Sequence, residues 1–330
     1  MRRTATHRSP ARFLARMLAG ASAVPYTGFV PPCLAVLQKD IPTDDGWLFE
    51  VKFDGYRIQA HLVKGMATLY TRQGNDWTDR FKPIATALEA LPVDSIVLDG
   101  EVVVPDGAGI PRFESLQGDL ARGHSGRMHY YAFDLLYLDG FDVRGAPLTE
   151  RKRVLATLLK GSPSARIHFS SHADSDGRTI FAQACASGLE GIICKRADAP
   201  YRSGRSATWL KLKCSKEEVL PIVGFKPEGD RVASLLLGRW KGTDLVYAGR
   251  AGTGFTMRTA AKLRQRLEPL VLQRSPLSIK VREKVVWVKP TLSAVVTYRE
   301  VTAEGLLRHA VFKRIADSTA SRPSQEPWPL

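Results

Sequence analysis

WLFEVKFDGYR, running from Trp47 to Arg57, holds the pattern from which the fold is read. Side chains alternate sides along an extended chain, so Phe49, Val51 and Phe53 share one face of a predicted strand and Glu50, Lys52 and Asp54 the other. One face is apolar and the other carries chemistry. Gly55 permits a turn, after which Tyr56 and Arg57 lead into a second apolar run, IQAHLV.

Outward from this hairpin, strands are predicted at Ala67 to Tyr70, Ile96 to Val104, Tyr130 to Tyr137, Ile192 to Lys195 and Trp209 to Lys213. Helices are predicted at Arg80 to Ala90, Leu148 to Leu159 and Gly177 to Ser187, so the first two-thirds of the chain mixes the two. After Lys213 come short β-rich runs separated by turn signals, VLPIVGF, VASLLLGRW, DLVYAGR, EKVVWV and SAVVTYREV, with a single helix at Met257 to Leu267. Five strands and one helix suit an OB-like barrel. The expected class is α+β: a first domain of antiparallel sheets with flanking helices over residues 25–215, then an OB-fold β-barrel over 216–316. A basic disordered arm (1–24) and a disordered tail (317–330) complete the division.

The 330 residues are 44% apolar, enough for a core in each of two modest domains. Lysine and arginine number 48 against 33 acidic residues, a formal charge of +15, which makes nucleic acid the first partner to consider. Cys33, Cys185, Cys194 and Cys214 are scattered, with no Cys-x-x-Cys pair and no zinc-like spacing, which fits a reducing cytoplasm. No apolar run is long enough to span a bilayer, so no membrane is expected. FLARMLAGASAV loosely imitates a signal segment, but Arg16 interrupts it. With Arg2, Arg3, Arg8 and Arg12 it reads instead as a mobile arm for phosphates.

Lysine attacks phosphorus only as the neutral amine, so a nucleophilic Lys52 needs cations or a metal nearby, and Arg57, Lys195, Lys211 and Lys213 could supply that field. A bare Lys-x-Asp-Gly is also what a solvated surface ion pair looks like. TRQGN places Arg72 after a strand, where a phosphate or ribose contact is possible. VLDGEVV holds Glu101 in a β-rich run, where it faces a metal, a ribose hydroxyl or water. Phe133 could stack on a purine or pack in the core. LEGIICKR carries Glu190 and Lys195 at either end of a strand, and TWLKLK sets Lys211 and Lys213 two residues apart, as a phosphate clamp or a solvated face. Carboxylates offer hard oxygen ligands for Mg²⁺ or Mn²⁺, and cations can neutralise a triphosphate.

The ordered series Lys52-Phe-Asp-Gly-Tyr-Arg57, Thr71-Arg-Gln-Gly74, Leu98-Asp-Gly-Glu101, Phe133-Asp-Leu, Glu190-Gly-Ile-Ile-Cys-Lys195 and Trp209-Leu-Lys-Leu-Lys213 resembles the covalent nucleotidyltransferase superfamily. YRSGRSATWLKLKC and GLLRHAVFKR are similar to bacterial ATP-dependent DNA ligases of the non-homologous end-joining type, often called ligase D. The resemblance runs from about Tyr26 to Ile315.

It implies that Lys52 is adenylated by ATP, with Glu50 against the adenine and Phe133 stacked on it. Arg57 and Arg72 would contact ribose or the DNA 5′-phosphate, and Glu101 would serve ribose and metal. Glu190 would act with the metal, Lys211 and Lys213 would hold the α-phosphate with help from Lys195, and Arg308 and Lys313 would orient pyrophosphate. The implied partners are nicked or broken duplex DNA and the end-bridging protein Ku, with the enzyme a monomer. Larger relatives carry a DNA-binding domain ahead of the nucleophile, whereas about fifty residues precede Lys52 here. An RNA ligase, an mRNA-capping guanylyltransferase or a DNA-binding relative without catalysis would share most of these motifs.

Overall fold

A computed structural model describes residues 10–160, 164–277, 285–302 and 304–316. The chain divides into two compact units at Cys214 and Ser215.

In the first unit, two sheets face one another. One runs Ser22–Ala23, Phe141–Asp142, His129–Leu138, Ser95–Val103, Tyr56–Val63, Met66–Thr71, and Ile167–Phe169 adds to His129–Leu138 in parallel. The other runs His172–Ala173, Trp47–Val51, Gly191–Arg196, Gly204–Lys213, Cys33–Leu37, its last pair also parallel. The sheets are therefore mostly antiparallel, with two parallel pairs that local periodicity does not reveal. Helices Lys82–Glu89 and Leu148–Lys160 place Ile84, Leu88, Val154, Leu155 and Leu159 in the main core with Ile58, Leu62, Leu98 and Leu135. A smaller cluster that includes Val97, Phe133, Tyr137, Cys33 and Trp209 joins the sheets to each other.

The predicted strands and helices of this unit form, with ends shifted by a few residues. The Phe113–Ala121 helix is an addition; Gly118 within it and the turns on either side hide its period.

A further correction concerns the amino-terminal segment. Residues 10–24, expected within a disordered arm, are ordered: the Pro10–Arg16 helix buries Ala11 and Ala15, and Leu18 follows them into the main core. Arg12 donates to Asp139 O at 2.6 Å and lies over the Phe141 ring instead of waiting for phosphate. Removing residues 1–24 would therefore strip part of this core. Residues 1–9 and the tail at 317–330 lie outside the described residues.

Cys185 and Cys214 form a disulfide between the end of the Gly177–Ala186 helix and the end of the Gly204–Lys213 strand. Their separation of 29 residues gave no local sign of it, and the pairing runs against the expectation that the scattered cysteines belong to a reducing compartment.

In the second unit, Lys216–Glu228, Arg231–Lys241 and Asp244–Ala251 form an antiparallel meander. Ser293–Tyr298 pairs with the first of these and Val311–Ile315 with Ser293–Tyr298. One parallel bridge, Thr253 to Val311, links the ends of this series, so the strands follow OB-like order without a continuous ladder closing a barrel. The predicted EKVVWV strand is reduced, in its described part, to Val286–Val288, a side branch paired with Val271–Leu272. The Val311–Ile315 strand takes the fifth place. The Met257–Leu267 helix is capped by Thr256 and Thr259 and buries Ala260, Leu263 and Leu267.

His61 lies inside the first unit, 1% exposed. Its Nδ1 accepts from the Tyr26 hydroxyl at 2.6 Å and its Nε2 donates to Gln59 Oε1 at 2.8 Å, an arrangement that suits the neutral ring. Burial pushes its pKa down from 6.5 to about 4. The folded state favours the neutral ring, so this stabilisation is whole above pH 6.5 and disappears as pH falls toward 4. Over that interval urea titrations should show a loss on the order of 3 kcal/mol that shrinks in His61→Gln. Equal acid sensitivity in both proteins would remove His61 as its source.

Candidate active site

A cavity of about 260 Å³ opens between the two sheets of the first unit. Its walls include Glu50, Lys52, Arg57, Arg72, Glu101, Phe133, Lys195 and Lys211, all singled out in the sequence. Glu190 and Lys213 adjoin through Lys52: both Lys52 Nζ and Lys213 Nζ pair with the Glu190 carboxylate, Lys213 at 3.2 Å. Arg308 and Lys313 belong to strands of the second unit.

Register explains the convergence. Glu50 faces Ile193 across one ladder, and Ile193 faces Lys211 across the next. In the opposite sheet Arg57 faces Glu101, which faces Tyr131. Directly paired residues project to the same side, so each row delivers its side chains together. The Trp47–Val51 strand ends just before Lys52, whose amide makes a last ladder-like bond to Gly191 O at 2.9 Å. Gly55 must be small, because a Cβ there would lie 2.1 Å from Val102 O.

Glu50 is 2% exposed, yet both carboxylate oxygens are occupied: Lys152 Nζ bonds Oε1 and Lys195 Nζ bonds Oε2, each at 2.8 Å. Burial alone would raise its pKa, but Lys152 and then Lys195 hold it below the usual carboxylate range. Lys195 Nζ also sits 4.4 Å from the centroid of Phe133 and 4.2 Å from that of Trp209. Lys195 is thus seated against Glu50 and two rings, whereas the resemblance groups it with the phosphate clamps. Arg57 is similarly committed, bonding Asp99 through Nε at 3.0 Å and Nη2 at 2.6 Å, and Cys33 O at 2.6 Å.

Glu101 contrasts with these paired groups. Burial pushes its carboxyl up to about 7; Lys52 and Arg57 offset part of that, while Asp99 and Glu190 add to it. Glu190 moves the other way, because Lys52 and Lys213 outweigh its burial and lower its pKa. The ammonium pKa of Lys211, on the cavity wall, is lowered by burial and by Lys213 and Lys52. Two neighbouring acids, one inclined to keep its proton until a cation arrives, fit a divalent metal. Among the described residues there is no ready-made cluster of three or more such ligands.

Sequence reasoning missed Lys152, Arg151 and Arg205. Arg205 lines the cavity. Arg151 makes a fully buried pair with Asp134 at 2.7 and 2.9 Å. Both Arg151 and Lys152 lie on the inner face of their helix, three and four residues after buried Leu148. Cations at core positions of an amphipathic helix were the available signal.

Two sheets enclose a lysine, paired acids and a ring of cations, as in a nucleotidyltransferase domain, and the chain belongs to the ATP-dependent DNA ligase family. Residues 32–213 match the model of the ATP dependent DNA ligase domain, and residues 228–318 match that of the ATP dependent DNA ligase C terminal region. More particularly, it is similar to the ligase portion of the bacterial LigD proteins. It is 38% identical to the multifunctional non-homologous end joining protein LigD of Pseudomonas aeruginosa over 97% of this chain and 40% of that protein. The LigD of Mycobacterium tuberculosis is 36% identical over 85% of this chain and 37% of its own length. The chain therefore spans about two-fifths of the curated relatives it matches. The crystal structure of the M. tuberculosis LigD ligase domain aligns at 34% identity and a TM-score of 0.53, covering 89% of this chain and 98% of that one. A mycobacterial DNA ligase D complexed with ATP and MES aligns equally well.

Replacing Lys152 with Met should cost about 3 kcal/mol in chemical denaturation, because a buried carboxylate loses one of its two cations. Lys152→Met with wild-type stability would show that Lys195 alone suffices for Glu50.

Proposed function

We propose that this chain seals breaks in duplex DNA at the expense of ATP, with Lys52 as the nucleophile. The observation that carries this is Lys52 at the end of its strand, on the wall of a cavity whose other groups suit a nucleoside triphosphate. In the first step Lys52 Nζ attacks the α-phosphorus, forming an N–P bond as the P–O bond to pyrophosphate breaks. The lysine proton must leave to solvent before attack, as Lys52 gives up its pairing with the Glu190 carboxylate. AMP then passes to the 5′-phosphate of the break, and the 3′-hydroxyl displaces AMP to close the strand.

Glu50 and Phe133 belong to the adenine end, with Lys195 and Lys152 fixing Glu50. Lys211 and Lys213 lie toward the α-phosphate, and Arg72 is available to phosphate or ribose. Arg57 acts mainly through Asp99 and the neighbouring rings, a more architectural part than direct phosphate contact. Glu101 and Glu190 would hold Mg²⁺ or Mn²⁺, which when bound supplies charge neutralisation at the triphosphate. Arg308 and Lys313 of the second unit are assigned to pyrophosphate. These transfers depend on alignment and charge stabilisation, which the cations of the site provide.

The LigD relatives support a place in non-homologous end joining with broken duplex DNA as substrate; Ku as a stimulating partner, a monomeric state and a cytoplasmic location belong to the same proposal and rest on the motif resemblance alone. With α-labelled ATP and divalent metal, wild type should acquire an acid-labile label that is absent in Lys52→Ala and absent with α-labelled GTP. A GTP adduct would redirect the assignment to capping, and better sealing of nicked RNA than nicked DNA would redirect it to RNA ligation. If pyrophosphate-treated wild type gave no adduct, the catalytic assignment would fall.

A chain of formal charge +15 that holds DNA through phosphates should lose affinity steeply with salt. Binding to a nicked duplex by fluorescence anisotropy should weaken by roughly a hundredfold or more between 50 and 200 mM salt. A flat response would mean that phosphate contacts contribute little.

A further inference from the structure

Beyond the groups that face ATP, the same side of the larger sheet carries a row of rings. Arg57, Glu101, Tyr131 and His168 are successive register partners across four strands, so the active-site face continues outward through Tyr131 and His168. Phe53, the residue after Lys52, packs on Tyr131 with ring centroids 4.6 Å apart and planes 30° apart. Tyr131 stacks on His168 at 4.7 Å and 23°. His168 meets His129 at 5.1 Å and 34°, and the two are also joined by an Nδ1 to Nε2 hydrogen bond of 2.9 Å. Four rings thus lie in series from the loop after the nucleophile to the sheet edge.

That loop needs support. Its ladder ends at the Lys52 amide, and the next strand begins only at Tyr56. Gly55 is pressed against Val102 O at the far end, and the Phe53 ring packs the loop sideways onto Tyr131. We propose that Tyr131 and His168 are positioning residues for Lys52, stacked in series behind Phe53 so that the Lys52–Asp54 loop presents the nucleophile to the cavity in one place. A near-attack arrangement is sensitive to displacements of about an ångström, so a small rotation of Phe53 would be felt at Lys52 Nζ. Phe53 lines the cavity, whereas Tyr131 and His168 lie behind it and are not among the residues of the cavity wall. Loss of the stack should therefore reduce the rate of adenylation more than ATP binding.

This rests on Lys52 being the adenylated residue, and the test separates the two claims. Full-length protein, freed of AMP with pyrophosphate, is followed in single-turnover adenylation for wild type, Tyr131→Leu, His168→Leu, Tyr131→Phe and His168→Phe. The two leucine variants should adenylate roughly tenfold or more slowly at saturating ATP, with the ATP concentration for half-maximal rate within about twofold of wild type. The two phenylalanine variants, which keep a ring, should recover most of the rate. Hydrogen exchange read on the peptide covering residues 52–56 should rise in His168→Leu while the flanking strands keep their protection.

Wild-type rates in folded leucine variants would overturn the proposal, as would equal losses in the phenylalanine variants. Unchanged exchange at 52–56 in His168→Leu would also overturn it, as would a rise spread evenly over the sheet. No adduct in wild type would instead overturn the assignment of Lys52.

Discussion

The Glu50 carboxylate is the constraint from which the site is built. An ionised acid at 2% exposure is tolerable only if its charge is met by hydrogen-bonded cations, and here two buried lysines meet it from different elements. Lys152 comes from a helix and Lys195 from the neighbouring strand, with Glu50 in the Trp47–Val51 strand between. The three charges tie the helix to the sheet. They also set the position of the strand that ends at Lys52.

The remaining buried charges obey the same rule in pairs. Asp134 is held by Arg151 and Asp99 by Arg57, with Tyr201 donating to the same Asp99 oxygen at 2.6 Å. Each pair consumes its own charge, so Arg57 and Arg151 contribute little net field despite their formal charges. The Glu50 and Glu190 groups differ, since each carboxylate is shared by two lysines. A cavity edged by such surplus, with Arg72, Arg205 and Lys211 on its wall, suits a polyanion. Burial, and after it the nearby Lys213 and Lys52, lower the pKa of Lys211.

Much of this was legible because β-register converts sequence spacing into spatial proximity. WLFEVKFDGYR places Glu50 and Lys52 two apart, and the strand forms as far as Val51, after which Lys52 and Phe53 both reach the cavity instead of keeping to opposite faces. The six motifs sit in strands or at their ends, and pairing brings them to one cavity. What stayed hidden was set by contacts without local periodicity. Residues 10–24 read as an arm because Arg12 and Arg16 continue the run of arginines ahead of them, while the positions that bury the segment, Ala11, Ala15 and Leu18, are small or spaced along one short helix and the turn after it. The fifth strand of the second unit was overlooked because VFKRI reads as a charged motif, whereas Val286–Val288 sits in a stretch of stronger β-propensity but joins a side hairpin. Lys152 and Arg151 were obscured by composition, since cations on a helix normally face solvent.

Over three residues the chain passes from a doubly paired buried acid to the lysine proposed as nucleophile. Glu50 is locked by two salt bridges inside a ladder; Lys52 lies just past the ladder's end, its side chain 18% exposed and paired with Glu190. A lysine in the middle of the strand would have its approach set by neighbours on both sides. One on a wholly free loop would lose the entropic benefit of being held near its target. Placing the proposed nucleophile one residue beyond a charge-locked strand, with Gly55 closing the loop and Phe53 packed sideways, limits its freedom to the side chain. Such a lysine can exchange a carboxylate partner for a phosphorus atom without the backbone having to move, which is why the rigidity of Glu50 and the reactivity assigned to Lys52 belong to one design.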